Sequence, residues 1–178
     1  MELVIIGAGA HGRIVAETAA RTGQFQILGF ADDNPAMRGV HIGKWRVLGP
    51  WSEIPAEAYI IAIGNNAARQ ATSEKLQTAG KLLATIVSSQ ACVSDDAVLG
   101  AGSVVLPGAV VQSGARIGLN AIINAGAVVD HDAVIGDFAH VGANATVSCF
   151  GVVAACEFLF HAALRSQIAY VQDIGHGV

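Results

Sequence analysis

The segment from Asn124 to His140 holds the densest group of side chains able to do chemistry: Asn124, Asp130, His131, Asp132, Asp137 and His140. Histidine titrates near neutral pH and serves as a general base. A neighbouring carboxylate stabilises the protonated ring and orients it, so His131-Asp132 reads as a base with its support. A second candidate lies at the N-terminus, where Gly7-x-Gly9-x-x-Gly12 surrounds His11. Glycines permit a tight turn and close backbone approach, and a helix N-terminus offers free N–H groups to a phosphate. Asp32 follows Gly12 by twenty residues, where a dinucleotide fingerprint places its acid.

The elements that must position these groups fall into two halves. Residues 1 to about 80 alternate between strand and helix. Leu3–Ile6 is a buried strand, Arg13–Arg21 is helical, and Gln26–Phe30 is a strand ended by Asp32-Asp33-Asn34-Pro35. Tyr59–Ile63 is another strand, and Gly64-Asn65-Asn66 caps a helix over Ala67–Thr78. This is a βαβ-type, Rossmann-like half domain, assigned to residues 1–82. A full dinucleotide fold needs two such halves, so a mononucleotide or nucleotide-sugar site fits better than NAD.

From Val87 to Leu159 an aliphatic residue stands at every sixth position, including Val105, Ile117, Val129, Val141 and Val153. Four residues after each, from Ala91 to Gly151, stands Ala, Ser or Gly. Helical periodicity does not give strict sixes. Short strands joined by tight turns do, and three units close one triangular coil of a parallel β-helix. The small residues are expected near the corners, where the backbone turns. This second domain is assigned to residues 83–178 and is expected to be irregular after 151. Glu157 stands there at a small position and Arg165 at an aliphatic one. A degenerate last coil and a terminal helix both remain open for that stretch. In the repeat frame His131 lies at a turn and His140 precedes the inward Val141, so both point outward, available to a groove or a subunit interface.

Composition narrows the classes. The 178 residues are 53% hydrophobic and 13% charged, with net charge −4. That excludes a disordered chain and gives no basic face for nucleic acid. So apolar a chain must hide more surface than a simple globule of this size, as a repeat protein or an oligomer does. No apolar run reaches the ~20 residues of a membrane span, and the N-terminus lacks the basic flank of a signal peptide. Cys92, Cys149 and Cys156 have no CxxC spacing, so reduced thiols in a cytoplasmic protein are expected. A zinc site needs three convergent ligands, and His131 and His140 supply two at half-coil separation, so no metal is expected.

The six-residue repeat resembles that of the hexapeptide-repeat acyltransferases, which implies a left-handed β-helix, an exception to the right-handed crossover rule. Resemblance to gamma-class carbonic anhydrase stops at the coil, because the close histidine pair of that family is absent. Both halves together resemble the nucleotide-sugar N-acetyltransferases of bacterial glycan synthesis, of the bacillosamine, perosamine and sialic-acid types. The resemblance covers residues 1–150. It rests on Gly7-Ala-Gly-Ala-His11-Gly12, Asp32-Asp33-Asn34, Ile63-Gly64-Asn65-Asn66 with Arg69, and His131-Asp132 with His140.

The resemblance implies roles. Gly9, His11, Asp32, Asp33, Asn65 and Arg69 would hold the nucleotide sugar. His131 would take a proton from the sugar amine, supported by Asp132. His140 would contact the acetyl carbonyl of acetyl-CoA, with Asn124 beside it. Acetyl-CoA is the co-substrate, and active sites would lie between the β-helices of a homotrimer. Cys149 stands in the acetyl-CoA site where a glycine would be expected. This departure, with the irregular end, keeps open a non-catalytic nucleotide-sugar-binding module with a degenerate CoA site. N- and O-acetylation both remain open, as do the sugar and the nucleotide base.

Overall fold

A computed structural model describes residues 1–160. The N-terminal unit comprises β1 (Glu2–Ile6), α1 (Ala10–Arg21), β2 (Gln26–Ala31), β3 (His41–Ile42), β4 (Trp45–Gly49), β5 (Ala58–Ile61) and α2 (Asn66–Thr78). Its sheet runs β3-β4-β2-β1-β5, with β1 parallel to both neighbours and β3 antiparallel to β4. Leu3, Val4 and Ile5 are fully buried, as a central strand covered on both faces requires. The chain order reverses beside β1. Its C-terminal end and that of β5 therefore border the crevice where open α/β sheets bind ligands. The β3–β4 pair is not anticipated above. Its cue is the Gly43-Lys44 turn between Ile42 and Trp45, with Gly43 at φ +61°.

Residues Leu82–Ala84 pair with Tyr59 on the β5 edge, so the connection between the halves is itself part of the sheet. A left-handed β-helix follows. Its two-residue strands stack in three parallel sheets, with partners such as Val104 and Ile122 eighteen residues apart. The first face carries Ile86–Val87, Val104–Val105, Ile122–Ile123, His140–Val141 and Phe158–Leu159. The second begins at Cys92–Val93 and the third at Val98–Leu99. The second residue of each strand points inward, and from Val105 to Leu159 these aliphatics form one core.

The alanines are not simply corner relief. Ala109, Ala115, Ala121, Ala127, Ala133, Ala139 and Ala145 are buried in the same core and fill the prism corners. The turn is made one residue earlier. From Gly102 to Cys156 every sixth residue has φ between +50° and +74°, and the N–H of the residue that follows, an alanine from Ala109 to Ala145, closes each turn. Glycine, Asn and Asp suit that left-handed conformation. Regularity also persists beyond Gly151, against expectation: Val152–Val153 and Phe158–Leu159 continue the third and first faces. Glu157 takes the place of an inward alanine by turning its carboxylate back to accept from Ala154 N–H at 2.8 Å. The readings of Arg165 and the later residues lie outside the described residues.

The N-terminal unit seats on the first face. Ile86, Val104 and Leu106 share a buried cluster with Val15, Ala16 and Ala19 of α1. Burial of apolar surface stabilises by about 25 cal/mol per Å², and this shared cluster ties the two halves together. The third face leaves Val98, Val134 and Val152 exposed. No helix among the described residues is long and apolar enough to cross a membrane.

Candidate active site

The glycine loop closes the crevice at the end of β1. Gly7 has φ +106°, and a Cβ there would lie 2.9 Å from the Ala62 carbonyl. A Cβ on Gly12 would collide with the Gly7 carbonyl, while Gly9 faces open space. Gly7, Gly9, His11, Asp32, Ala62 and Gly64 border a cavity of about 320 Å³. It adjoins a second of about 210 Å³, bordered by Asp32, Asp33, Trp51 and Thr72. Asp32 accepts from Ala8 N–H and Asn34 N–H, each at 3.0 Å. The acid thus shapes the loop as well as lining the cavity. Asn65 caps α2 by accepting from Ala68 N–H at 2.9 Å, directly after the cavity residue Gly64.

Arg69 corrects the sequence reading, which placed it on the nucleotide sugar. Its side chain is fully buried. Nε donates to the Asn120 carbonyl at 2.8 Å, and Nη1 to those of Ile63 at 2.9 Å and Gly64 at 3.3 Å. Nη2 donates to Phe138 O at 2.6 Å and Asn66 Oδ1 at 2.8 Å. With its donors so engaged, the guanidinium has no hand free for a ligand. It clamps the loop after β5 to two turns of the coil. Burial lowers its pKa to about 10, so it stays charged at neutral pH.

His140 also differs from expectation. It points out of the coil core, yet is only 6% exposed, because the N-terminal unit covers the first face. Its ring meets Phe158 edge-on at 4.3 Å and faces His11 at 6.1 Å between centroids. Asn124 Oδ1 accepts from Ala125 N–H at 2.8 Å, which turns its amide nitrogen toward His140 Nε2 at 3.0 Å. Nε2 must then accept, and a neutral ring carries its proton on Nδ1. Burial, then the charges of His11 and Arg69, push His140 down to about 4. Burial, then Arg69, does the same to His11. His140 Nδ1 and His11 Nε2 are both buried without a hydrogen-bond partner among the described residues.

His131 lies elsewhere, at the turn joining the second and third faces, opposite the first face that carries His140. One chain therefore does not bring the two histidines together. His131 Nδ1 is 3.0 Å from Asp132 Oδ2, and the two side chains are 49% and 51% exposed. The hydrogen bond to Asp132 is the main cause raising the pKa of His131 above its ordinary value, with Asp130 adding to it. Asp132 has φ +56°, the turn conformation, which aims its carboxylate along the ring. Phe150, one coil on, meets the ring edge-on at 5.3 Å. Cys149 sits beside it, close to His131.

Residues 2–76 match the PglD N-terminal domain family. Over 111 residues the chain is 34% identical to UDP-N-acetylbacillosamine N-acetyltransferase of Bacillus subtilis, covering 58% of this chain. The match spans half the length of that curated relative. The acetyltransferase domain of PglB from Neisseria gonorrhoeae, solved with acetyl coenzyme A, superposes with TM-score 0.75 at 32% identity, covering 82% of this chain and 72% of that one. A histidine variant of perosamine N-acetyltransferase from Caulobacter crescentus, solved with CoA and GDP-perosamine, superposes with TM-score 0.82 at 29% identity, covering 89% and 76%. A Rossmann-like sheet docked on a left-handed coil is common ground with these structures, and the chain belongs to the nucleotide-sugar acetyltransferase family.

Proposed function

We propose that the chain transfers the acetyl group of acetyl-CoA to the amine of a nucleotide-linked amino sugar of the UDP-4-amino-sugar type, in bacterial glycan synthesis. The observation that carries this reading is the exposed His131–Asp132 pair, 3.0 Å apart. Asp132 engages Nδ1, which leaves Nε2 as the proton acceptor. Nε2 takes a proton from the amine as its nitrogen attacks the thioester carbon, and the tetrahedral oxyanion collapses with loss of the CoA thiolate. Direct transfer needs no acetylated residue. The Gly9–His11 loop and the Asp32–Asp33 cavity hold the nucleotide, whose phosphates face the N-terminus of α1. The assignment of His140 to the acetyl carbonyl rests on the family resemblance, because its Nδ1 is buried beneath the N-terminal unit.

His131 and His140 lie on opposite sides of one coil, which supports a site shared between neighbouring copies in a homotrimer. The exposed Val98, Val134 and Val152 suit such a contact. Acetyl-CoA as the donor supports a cytoplasmic reaction. The test is CoA release from acetyl-CoA and a UDP-4-amino-sugar, in wild type and His131→Ala. A loss of about 10²-fold or more is expected, the scale of general-base catalysis. Equal rates would sink the assigned base. A second reading, a nucleotide-sugar-binding module without transfer, is favoured by Cys149 standing in place of glycine. Calorimetry separates the two, because that module would bind UDP-sugar and not acetyl-CoA.

A further inference from the structure

Stacking of the coils creates a constellation that neither motif nor family resemblance assigns. His131 and Cys149 occupy the same turn position of consecutive coils, eighteen residues apart, and Phe150 N–H donates to the His131 carbonyl at 3.2 Å. Coil neighbours lie about 4.8 Å apart. The Cys149 sulfur, a His131 ring nitrogen and an Asp130 carboxylate oxygen accordingly all fall within 4.8 Å of one another. Asp130 Oδ1 accepts from His131 N–H at 2.7 Å, which holds the carboxylate on this side of the turn.

We propose that Asp130, His131 and Cys149 form a binding site for a zinc-class divalent ion, and that the bound ion inhibits the enzyme. A thiolate, an imidazole and a carboxylate are the donor set such ions select, with a fourth position left for water. Asp132 on Nδ1 completes the carboxylate–histidine relay that orients metal-ligating histidines and leaves Nε2 to ligate. Binding deprotonates the Cys149 thiol and occupies the Nε2 lone pair, the same pair that must accept the amine proton. The ion is an inhibitor here, not a cofactor of the transfer. Its site differs from the His131–His140 pairing considered from sequence, because those rings lie on opposite sides of the coil. The inhibitory half of the proposal rests on His131 acting as the base; the binding half does not.

The experiment is a cobalt(II) titration of the full chain near neutral pH, read by absorption. Expected are a thiolate-to-cobalt charge-transfer band in the near ultraviolet and visible bands of four-coordinate geometry, both displaced by zinc. Cys149→Ser should remove the charge-transfer band; serine fits, since Ser113 occupies the same position one coil below His131. Asp132→Asn should keep the band and weaken binding about tenfold or more. Cobalt binding without the band, or a band that survives Cys149→Ser, would overturn the site. In the CoA-release assay, zinc should inhibit wild type at least about tenfold more strongly than it inhibits Cys149→Ser, each relative to its own metal-free rate. Equal inhibition would overturn the inhibitory half. Should the chain transfer no acetyl group at all, the cobalt spectra still decide the site.

Discussion

Replacing Arg69 by Met tests whether one buried guanidinium joins the two halves. The side chain is fully buried and donates to carbonyls of the β5 loop and of the coil turns at Asn120 and Phe138. Hydrogen bonds from a charged donor contribute about 1.5–3 kcal/mol each, and a buried carbonyl left without a partner costs about 1–3 kcal/mol. The Asn120 and Phe138 carbonyls have no other hydrogen-bond donor among the described residues. Two orphaned carbonyls and the lost loop contacts outweigh the relief of no longer burying a cation. The net loss should be about 3–5 kcal/mol, the usual result of removing one side of a buried charged network. Urea unfolding measures it. Trp45 and Trp51 report the N-terminal unit by fluorescence, and circular dichroism adds the coil. In wild type the two transitions should coincide. In Arg69→Met the fluorescence transition should move to lower urea, ahead of the coil. Arg69→Lys, which reaches fewer carbonyls, should fall between. A loss below about 1 kcal/mol in Arg69→Met, with coincident transitions, would refute the clamp.

Two further outcomes are expected. Asp132→Asn removes the main cause of the raised His131 pKa, so the acidic limb of the rate–pH profile should shift to lower pH while the maximal rate falls; an unmoved limb would separate Asp132 from the base. The fold should also weaken in acid, because His11 and His140 have folded pKa values near 4 against 6.5 unfolded, and the unfolded chain then binds more protons as pH falls through that window. At about pH 5.5 each histidine removes about 1.4 kcal/mol relative to pH 8, or about 3 kcal/mol together. The raised pKa of His131 acts in the opposite sense, its contribution being lost as pH rises through the folded value. Urea midpoints across pH, in wild type and in His140→Gln, would show whether these rings are the source.

The architecture was legible because it repeats. One inward aliphatic every six residues survives reading without coordinates, since each strand presents only two residues and each turn has a fixed length. The glycine loop was legible for a similar reason: at Gly7 and Gly12 the backbone approaches so closely that no other residue fits. The β3–β4 pair does not stand out in the sequence because β3 has two residues and β4 five, and neither recurs to give a periodic signal. The end of the repeat was misread because Glu157 looks like a break, whereas its carboxylate bonds its own turn and the coil continues. Asp130, His131 and Cys149 were overlooked as a group although their spacing is one coil. Their proximity comes from the stacking of consecutive coils, which linear spacing does not display.

Local sequence determined the turn conformations, the inward and outward alternation, and the pairing of His131 with the carboxylate next to it. Those depend on residues one to six positions apart and on backbone sterics. Tertiary structure decided which outward residues stay outside. His140 and Val134 occupy the same outward register, yet His140 is 6% exposed and Val134 40% exposed, because only the first face is covered by the N-terminal unit. It also decided that Arg69 is a clamp and not a ligand. A helix residue reads alike in either role until the carbonyls that surround it, fifty to seventy residues away in the chain, are in place. Burial and partner choice are properties of what packs against a residue, and no spacing rule within its own segment contains that information.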